Sequence, residues 1–284
     1  MLSLMRMGCV PAEAGEYHSR VLAAFSCNRS DESTRMHECA SFKVDLATPL
    51  GPLRGQVQVS TGPMRLADLV PTAFELTDML VMRAVARETK DGGQVTCRAG
   101  CGVCCSQMVP VSPPEAFYIA DMMSSLPGEL LDPIRRRFEL TAAVLEQRNM
   151  IDGLMDPDYS DDPFLAIARE YFCLHLPCPF LVDASCGIYE HRPVACRDYN
   201  VTSLAAWCAD PYSHEVAKVR TVTPLSAPLA RLTAALTGSK PRLVPLTLVP
   251  RWVRERNELR HRTWNGPELF QQFMAEVGRP HSEY

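Results

Sequence analysis

The stretch Cys97-Arg-Ala-Gly-Cys101-Gly-Val-Cys104-Cys105 puts four thiols within nine residues, and Cys178, Cys186, Cys196 and Cys208 follow downstream. With Cys173 added, nine of the twelve cysteines lie between residues 97 and 208. A free cysteine is ordinarily a small buried hydrophobe. Four of them in a glycine-containing turn read differently, because the glycines let the backbone bend until several sulfurs face one centre. The chain is therefore expected to fold around a metal site.

The competing explanation for dense cysteines is a disulfide framework, which needs an oxidising compartment. Met1-Leu-Ser-Leu-Met5 is too short for the apolar part of a signal peptide and Arg6 interrupts it. Gly8-Cys9 faintly resembles a lipoprotein site, but Arg6 stands where an aliphatic residue belongs. The expectation is a cytoplasmic protein with reduced thiols, a setting in which closely spaced cysteines favour metal binding. Cys104 and Cys105 are also poorly suited to bond to each other, since neighbours reach disulfide geometry only with strain.

The 284 residues are 46% hydrophobic and 22% charged, and no apolar run approaches the ~18 residues that would cross a bilayer. Membrane insertion is not expected. The net charge of −4 offers no general attraction to nucleic acid, which leaves a protein partner as the macromolecular option. Twenty-three prolines divide the chain into short elements.

Residues 1–40 show no sustained period and read as a flexible extension, with Met36 an alternative start. Residues 41–94 read as a small β element and a helix. Phe42–Leu46 and Gln56–Ser60 alternate around a Pro-Leu-Gly-Pro turn, and residues 71–89 follow as a helix with Phe74, Met79 or Leu80, Met82 and Val85 on one side. Ser112-Pro-Pro-Glu115 has the form of a capping box and predicts a helix over 113–126. A further helix carrying Ile134, Phe138, Leu140 and Leu145 runs to about residue 150. The aspartates between Asp152 and Asp162 lack the spacing of a calcium loop and read as a solvated turn with Asp162 capping a helix from Pro163 to about Leu176. Cys173 and His175 at the end of that helix read as structural. Beyond residue 210, residues 215–224 and 242–248 read as extended, 251–262 as one amphipathic helix burying Trp252 and Leu259, and 267–277 as a last helix with Leu269, Phe270 and Phe273 inward.

Three blocks carry a family resemblance: Cys101-Gly-Val-Cys104-Cys105, Cys178-Pro-Phe-Leu181, and Cys186-Gly-Ile-Tyr-Glu-His-Arg-Pro-Val-Ala-Cys196-Arg-Asp-Tyr199. Together they resemble the YkgJ-like cysteine cluster proteins, described as the CxxCxxCC putative zinc- or iron-chelating domain. The resemblance covers roughly residues 95–210. It departs at the first cysteine, where three residues instead of two separate Cys97 from Cys101. It implies an eight-cysteine site formed by Cys97, Cys101, Cys104, Cys105, Cys178, Cys186, Cys196 and Cys208. One branch of the family resembles a flagellin lysine methylase, although no methyl-donor motif stands in this chain.

Eight thiolates suit two four-thiolate zinc sites, or an iron-sulfur cluster with a second centre, and soft sulfur excludes magnesium and calcium. One Cys-x2-Cys knuckle with an extra thiol on each side is more crowded than a zinc ribbon, which favours iron by a small margin. Side chains of neighbouring residues diverge in regular structure, so Cys104 and Cys105 are expected to serve different centres, or one of them to pack. A four-thiolate centre is anionic, and Arg98, Arg192 and Arg197 stand near ligand cysteines as cationic partners. Tyr189 and Tyr199 are expected to pack on the cysteine turns and Glu190 to pair with an arginine. With no nucleotide loop or nucleophile elbow, no catalytic residue is assigned. The reading that results is a mainly α domain with irregular cysteine-rich turns and a small β-hairpin (α+β), organised by metal over 95–210, with residues 211–284 as an extended and helical appendage. Its function is metal binding with a redox role in view, the alternatives being an iron-sulfur-dependent protein-modifying enzyme or a zinc-stabilised interaction protein.

Overall fold

Strand β1 (Cys39–Leu46) turns back into β2 (Leu53–Ser60), with Cys39 facing Ser60 and Leu46 facing Leu53. The alternation read from the sequence points Val44, Leu53, Val57 and Val59 into the core, where Phe42 meets Phe270 at 5.2 Å. Gly51, at φ 94, closes the connection by donating its N–H to Thr48 O. These elements belong to a computed structural model that describes residues 39–156, 162–221 and 224–279. The N-terminal extension up to residue 38 and the aspartate run from 157 to 161 lie outside the described residues.

Strand β3 (Pro63–Arg65) leads into helix α1 (Val70–Lys90). Its buried face is Val70, Ala73, Phe74, Leu76, Thr77, Leu80 and Ala84; Met82, expected on that face, is 63% exposed. Large apolar side chains alternate here with the small Ala73, Thr77 and Ala84, and Met82 falls on the opposite side of the helix. After the cysteine turn and strand β4 (Pro110–Val111), helix α2 (Pro113–Ser125) starts at the capping box. Ser112 and Glu115 satisfy each other's backbone N–H groups, with the Ser112 N–H donating to Glu115 Oε2 at 2.8 Å.

Helix α3 (Gly128–Gln147) buries Ile134, Phe138 and Leu145 but leaves Leu140 62% exposed, on the opposite side. The short α4 (Ile151–Met155) makes the start of the aspartate run helical, and α5 (Asp162–Cys173) ends three residues earlier than expected, with His175 at φ 48. The cysteine-rich region then supplies the short strands β5 (Leu181–Val182) and β6 (Ser185–Cys186) and helix α6 (Val194–Asp198).

In the C-terminal part, α7 (Ser226–Thr237) packs on α2, and β7 (Val244–Pro245) pairs with β4. Among the described residues of 215–224 none belongs to a strand; Lys218 makes an isolated bridge to Val201, and Leu246–Leu248 is a 3-10 turn. The basic stretch is two helices, α8 (Val249–Arg254) and α9 (Asn257–His261), because Arg256 adopts φ −127, ψ 32 and breaks the helical path. Trp252 is buried and Leu259 only half-buried. Strand β8 (Thr263–Asn265) pairs with β3, and α10 (Gly266–Val277) returns Leu269, Phe270 and Phe273 to the core as expected.

The outcome is mainly helical, with only two-stranded sheets among the described residues. One apolar core runs from Val44 to Phe273 and includes Phe180, Ile188 and Val194 from the cysteine-rich region, while a second, smaller one gathers Leu145, Leu154, Tyr171 and Leu248. Full burial of each such side chain stabilises the fold by about 1.5–3 kcal/mol. No helix of the described residues is long and apolar enough to cross a membrane.

Candidate metal centre

Cys101 donates its N–H to Arg98 O at 3.1 Å, and Gly100 stands at φ 83, as the third residue of a type II turn requires. This turn accommodates the three residues between Cys97 and Cys101. A 3-10 turn over Val103–Ser106 then presents Cys104 and Cys105. Gly102, just before it, has no space for a side chain: a Cβ there would stand 2.5 Å from Ala184 O and 2.7 Å from Leu181 Cδ1. The cysteine turn thus lies directly on the β5–β6 hairpin, whose corner residues Asp183 (φ 47) and Ala184 (φ 59) take the left-handed conformation of a type I′ turn. Arg137 of α3 holds this hairpin by donating to Leu181 O at 2.7 Å.

The remaining cysteines are held from four directions. Cys178 donates its N–H to Cys105 O at 2.6 Å. The sulfurs of Cys178 and Cys186 accept the backbone N–H of Phe180 and Ile188, each two residues on. Cys196 rides on α6, whose first N–H, from Val194, donates to Glu115 Oε1 at 2.8 Å. Cys208 lies in a 3-10 turn fixed by Gln107, which donates to Cys208 O at 3.0 Å and to the Tyr199 hydroxyl. Cys97 Sγ accepts from Val201 N at 3.3 Å.

All eight of these cysteines line one cavity of about 330 Å³. Cys173 is exposed on α5, and neither it nor His175 belongs to the lining. The thiols of Cys104 and Cys105, expected to diverge, are hydrogen-bonded to each other, because the 3-10 turn brings them to the same side. No three His, Cys, Asp or Glu side chains among the described residues converge tightly enough to enclose an ion. The fit to a metal lies instead in the donor set, eight soft sulfurs on a shared wall with hydrogen bonds already directed at several of them.

Burial pushes up the thiols of Cys97, Cys186, Cys196 and Cys208, and that of Cys178 to about 12. Cys104 moves the other way, to about 7, chiefly through the hydrogen bond with Cys105, whose thiol is raised in turn. Desolvated thiols need positive charge to ionise, and Arg192 offers it. Its guanidinium lines the cavity, favours the thiolates of Cys97, Cys104, Cys186 and Cys196, and lies 3.6 Å over the Tyr189 ring. It makes no ion pair among the described residues.

Arg197 plays a different part. It is 8% exposed, pairs with Asp78 of α1 at 2.7 Å, donates to the carbonyls of Arg192 and Glu190, and lies 4.2 Å over Phe74. It braces α6 against α1 more than it charges the cavity. Glu190 takes part through this carbonyl, and its carboxylate makes no ion pair with an arginine among the described residues. Tyr199 turns its hydroxyl to Gln107 and to the Cys208 thiol. The hairpin corner at Asp183–Ala184, the tight contact at Gly102 and the reach of Glu115 to α6 were absent from the sequence reading; only the Cys-Gly-x-Cys pattern hinted at the second.

Residues 96–218 match the family described as the CxxCxxCC putative zinc- or iron-chelating domain. This match spans less than half of the chain. No curated protein and no solved structure gives a match. The ends of the matched segment meet at Val201, whose carbonyl accepts the Thr96 N–H at 2.9 Å and which bridges to Lys218. The description of that family names zinc or iron chelation.

Proposed function

We propose that the CxxCxxCC domain binds a polynuclear, sulfur-ligated iron centre of the iron-sulfur type and works as a redox protein of the reducing cytoplasm. The observation that carries this reading is eight thiols around a single cavity, twice the four that one tetrahedral ion takes. Mutual charge repulsion groups all but one of them. Cys208 senses Cys97, Cys101 and Cys104, whereas Cys196 senses Cys178, Cys186 and Cys104, and Cys178 and Cys186 also act on Cys105. Cys97, Cys101 and Cys208 fall on one side and Cys105, Cys178, Cys186 and Cys196 on the other, with Cys104 acting on both.

An iron-sulfur centre supplies one-electron chemistry at a potential set by charge, hydrogen bonds to sulfur and solvent access. This chain contributes to each. Arg192 offsets the anionic charge, the N–H groups of Phe180, Ile188 and Val201 point at sulfur, and Val81, Met108 and Leu246 keep part of the wall apolar. Arg197 acts as a positioning residue for Cys196.

A second reading, two closed zinc sites, draws on the turns at Cys178 and Cys186. An N–H donated to sulfur from two residues on serves a single four-thiolate ion equally well. Metal and acid-labile sulfide content, with the visible spectrum of protein purified without oxygen, separates the two. Iron with matching sulfide and broad brown absorbance is expected; about two zinc ions without sulfide or colour would establish the second reading, and protein that retains neither metal would remove both.

A further inference from the structure

A second cavity, of about 270 Å³, opens beside the carboxyl end of α7 and the helices α8 and α9, and shares no lining residue with the cysteine cavity. Its charged lining residues are Lys240, Arg242 and Arg256, and no carboxylate lines it. In a chain of net charge −4 that is a concentration of one sign. Lys240 is exposed and makes no ion pair among the described residues. Arg242 pairs with Asp156 and Arg256 with Glu255, but these acids are 78% and 49% exposed, and pairs of that kind contribute little.

One lining residue carries an unsatisfied donor. Trp252 lines the cavity, is 1% exposed, and its indole Nε1 has no hydrogen-bond partner among the described residues. Buried N–H groups are almost always bonded. The nearby hydroxyls are engaged elsewhere: Thr233 donates to Leu229 O, and Thr237 to Thr233 O. Arg256 lies 4.6 Å over the same indole ring. Lys240 and Arg242 follow the end of α7 and complement its dipole. That accounts for neither the indole N–H nor Arg256, which comes from the other wall. The rest of the surface is apolar, formed by Ala230, Ala234 and Leu259.

We infer that this cavity binds a small organic anion. A phosphate or carboxylate head lies among Lys240, Arg242 and Arg256, the indole N–H of Trp252 donates to one of its oxygens, and an apolar body rests against Ala230, Ala234 and Leu259. Neither the metal nor the redox reading is needed for this site.

Calorimetric titration of the full chain tests it, with phenyl phosphate, benzoate, inorganic phosphate and benzyl alcohol as probes. Phenyl phosphate is expected to saturate at one equivalent with a Kd below about 1 mM. Lys240→Ala and Arg256→Gln are each expected to weaken it roughly tenfold, the scale of one charged hydrogen bond. Lys240 is exposed, so its variant keeps the fold and the test stands even where the Arg256 variant does not fold. Three results would overturn the site: no saturable heat, equal affinity for benzyl alcohol or inorganic phosphate, or undiminished affinity in Lys240→Ala.

Discussion

Replacing Gly102 by alanine probes the contact on which the cysteine turn depends. The new Cβ would stand 2.5 Å from Ala184 O and 2.7 Å from Leu181 Cδ1, whereas ordinary contact begins near 3.4 Å. Ala184 O belongs to the backbone of a tight hairpin held by Arg137, so the whole β5–β6 unit has to move away from Cys101, Cys104 and Cys105. Overpacking of this kind costs about 1–3 kcal/mol. At roughly 2–4 °C per kcal/mol, the thermal midpoint should fall by several degrees. Metal retention should fall with it, because Cys186 ends the displaced hairpin while three other thiols stay behind. Two controls isolate the clash. Gly128→Ala meets nothing within 4 Å and should leave both readouts unchanged, and Gly100→Ala, at φ 83 with open space, should lose about 1 kcal/mol and keep its metal. Differential scanning calorimetry and metal analysis on the purified proteins would refute the reasoning if Gly102→Ala melted with the native protein and kept its full metal complement.

Stripping the metal with a chelator should loosen residues 96–218, seen as new cleavage sites in limited proteolysis; an unchanged digest and midpoint would mean that the fold does not lean on the metal. The Tyr171 hydroxyl, pushed up to about 12 by burial, should make the fold sensitive to alkali. The native state keeps a proton that the unfolded chain releases near pH 10, so about 2–3 kcal/mol is present below pH 10 and is lost as pH rises to 12, a limb that Tyr171→Phe should flatten in urea titrations. Arg197→Met should lower stability by roughly 2–4 kcal/mol through loss of its buried pair and carbonyl bonds, whereas Arg192→Met should hold less metal yet melt with the native protein when both are compared after chelation; identical behaviour of the two variants would contradict their separate roles. Ala184→Gly should raise the midpoint, gaining about 1 kcal/mol by relieving a left-handed residue, and a loss would show that the Ala184 methyl is needed.

Much of the fold was legible where a local rule was strong. The alternation around Phe42 and Val57 marked the first hairpin, and Ser112 with Glu115 marked the start of α2, because both patterns are set by neighbours a few residues away. The eight cysteines that the family resemblance implies are the eight that line the cavity. Errors arose where tertiary contact decides. Met82 and Leu140 are apolar yet outward, since the buried face of α1 is made by Val70, Phe74, Thr77, Leu80 and Ala84 and that of α3 by Ile134 and Phe138. The break at Arg256 has no proline or glycine to announce it, and the β5–β6 corner uses Asp183 and Ala184 in place of the usual Asn-Gly. The contact between Cys104 and Cys105 was hidden by the assumption of regular structure, which a 3-10 turn does not obey.

Glu115 uses its two carboxylate oxygens on two different helices, one on the Ser112 cap of α2 and the other on the first N–H of α6. The consequence is a tether. Helix α2 buries Ala116, Phe117 and Ile119 in the main core, so the core that seats it also fixes the carboxylate against the segment bearing Cys196. The position of that cysteine is thereby tied to the hydrophobic core through a side chain that contains no sulfur.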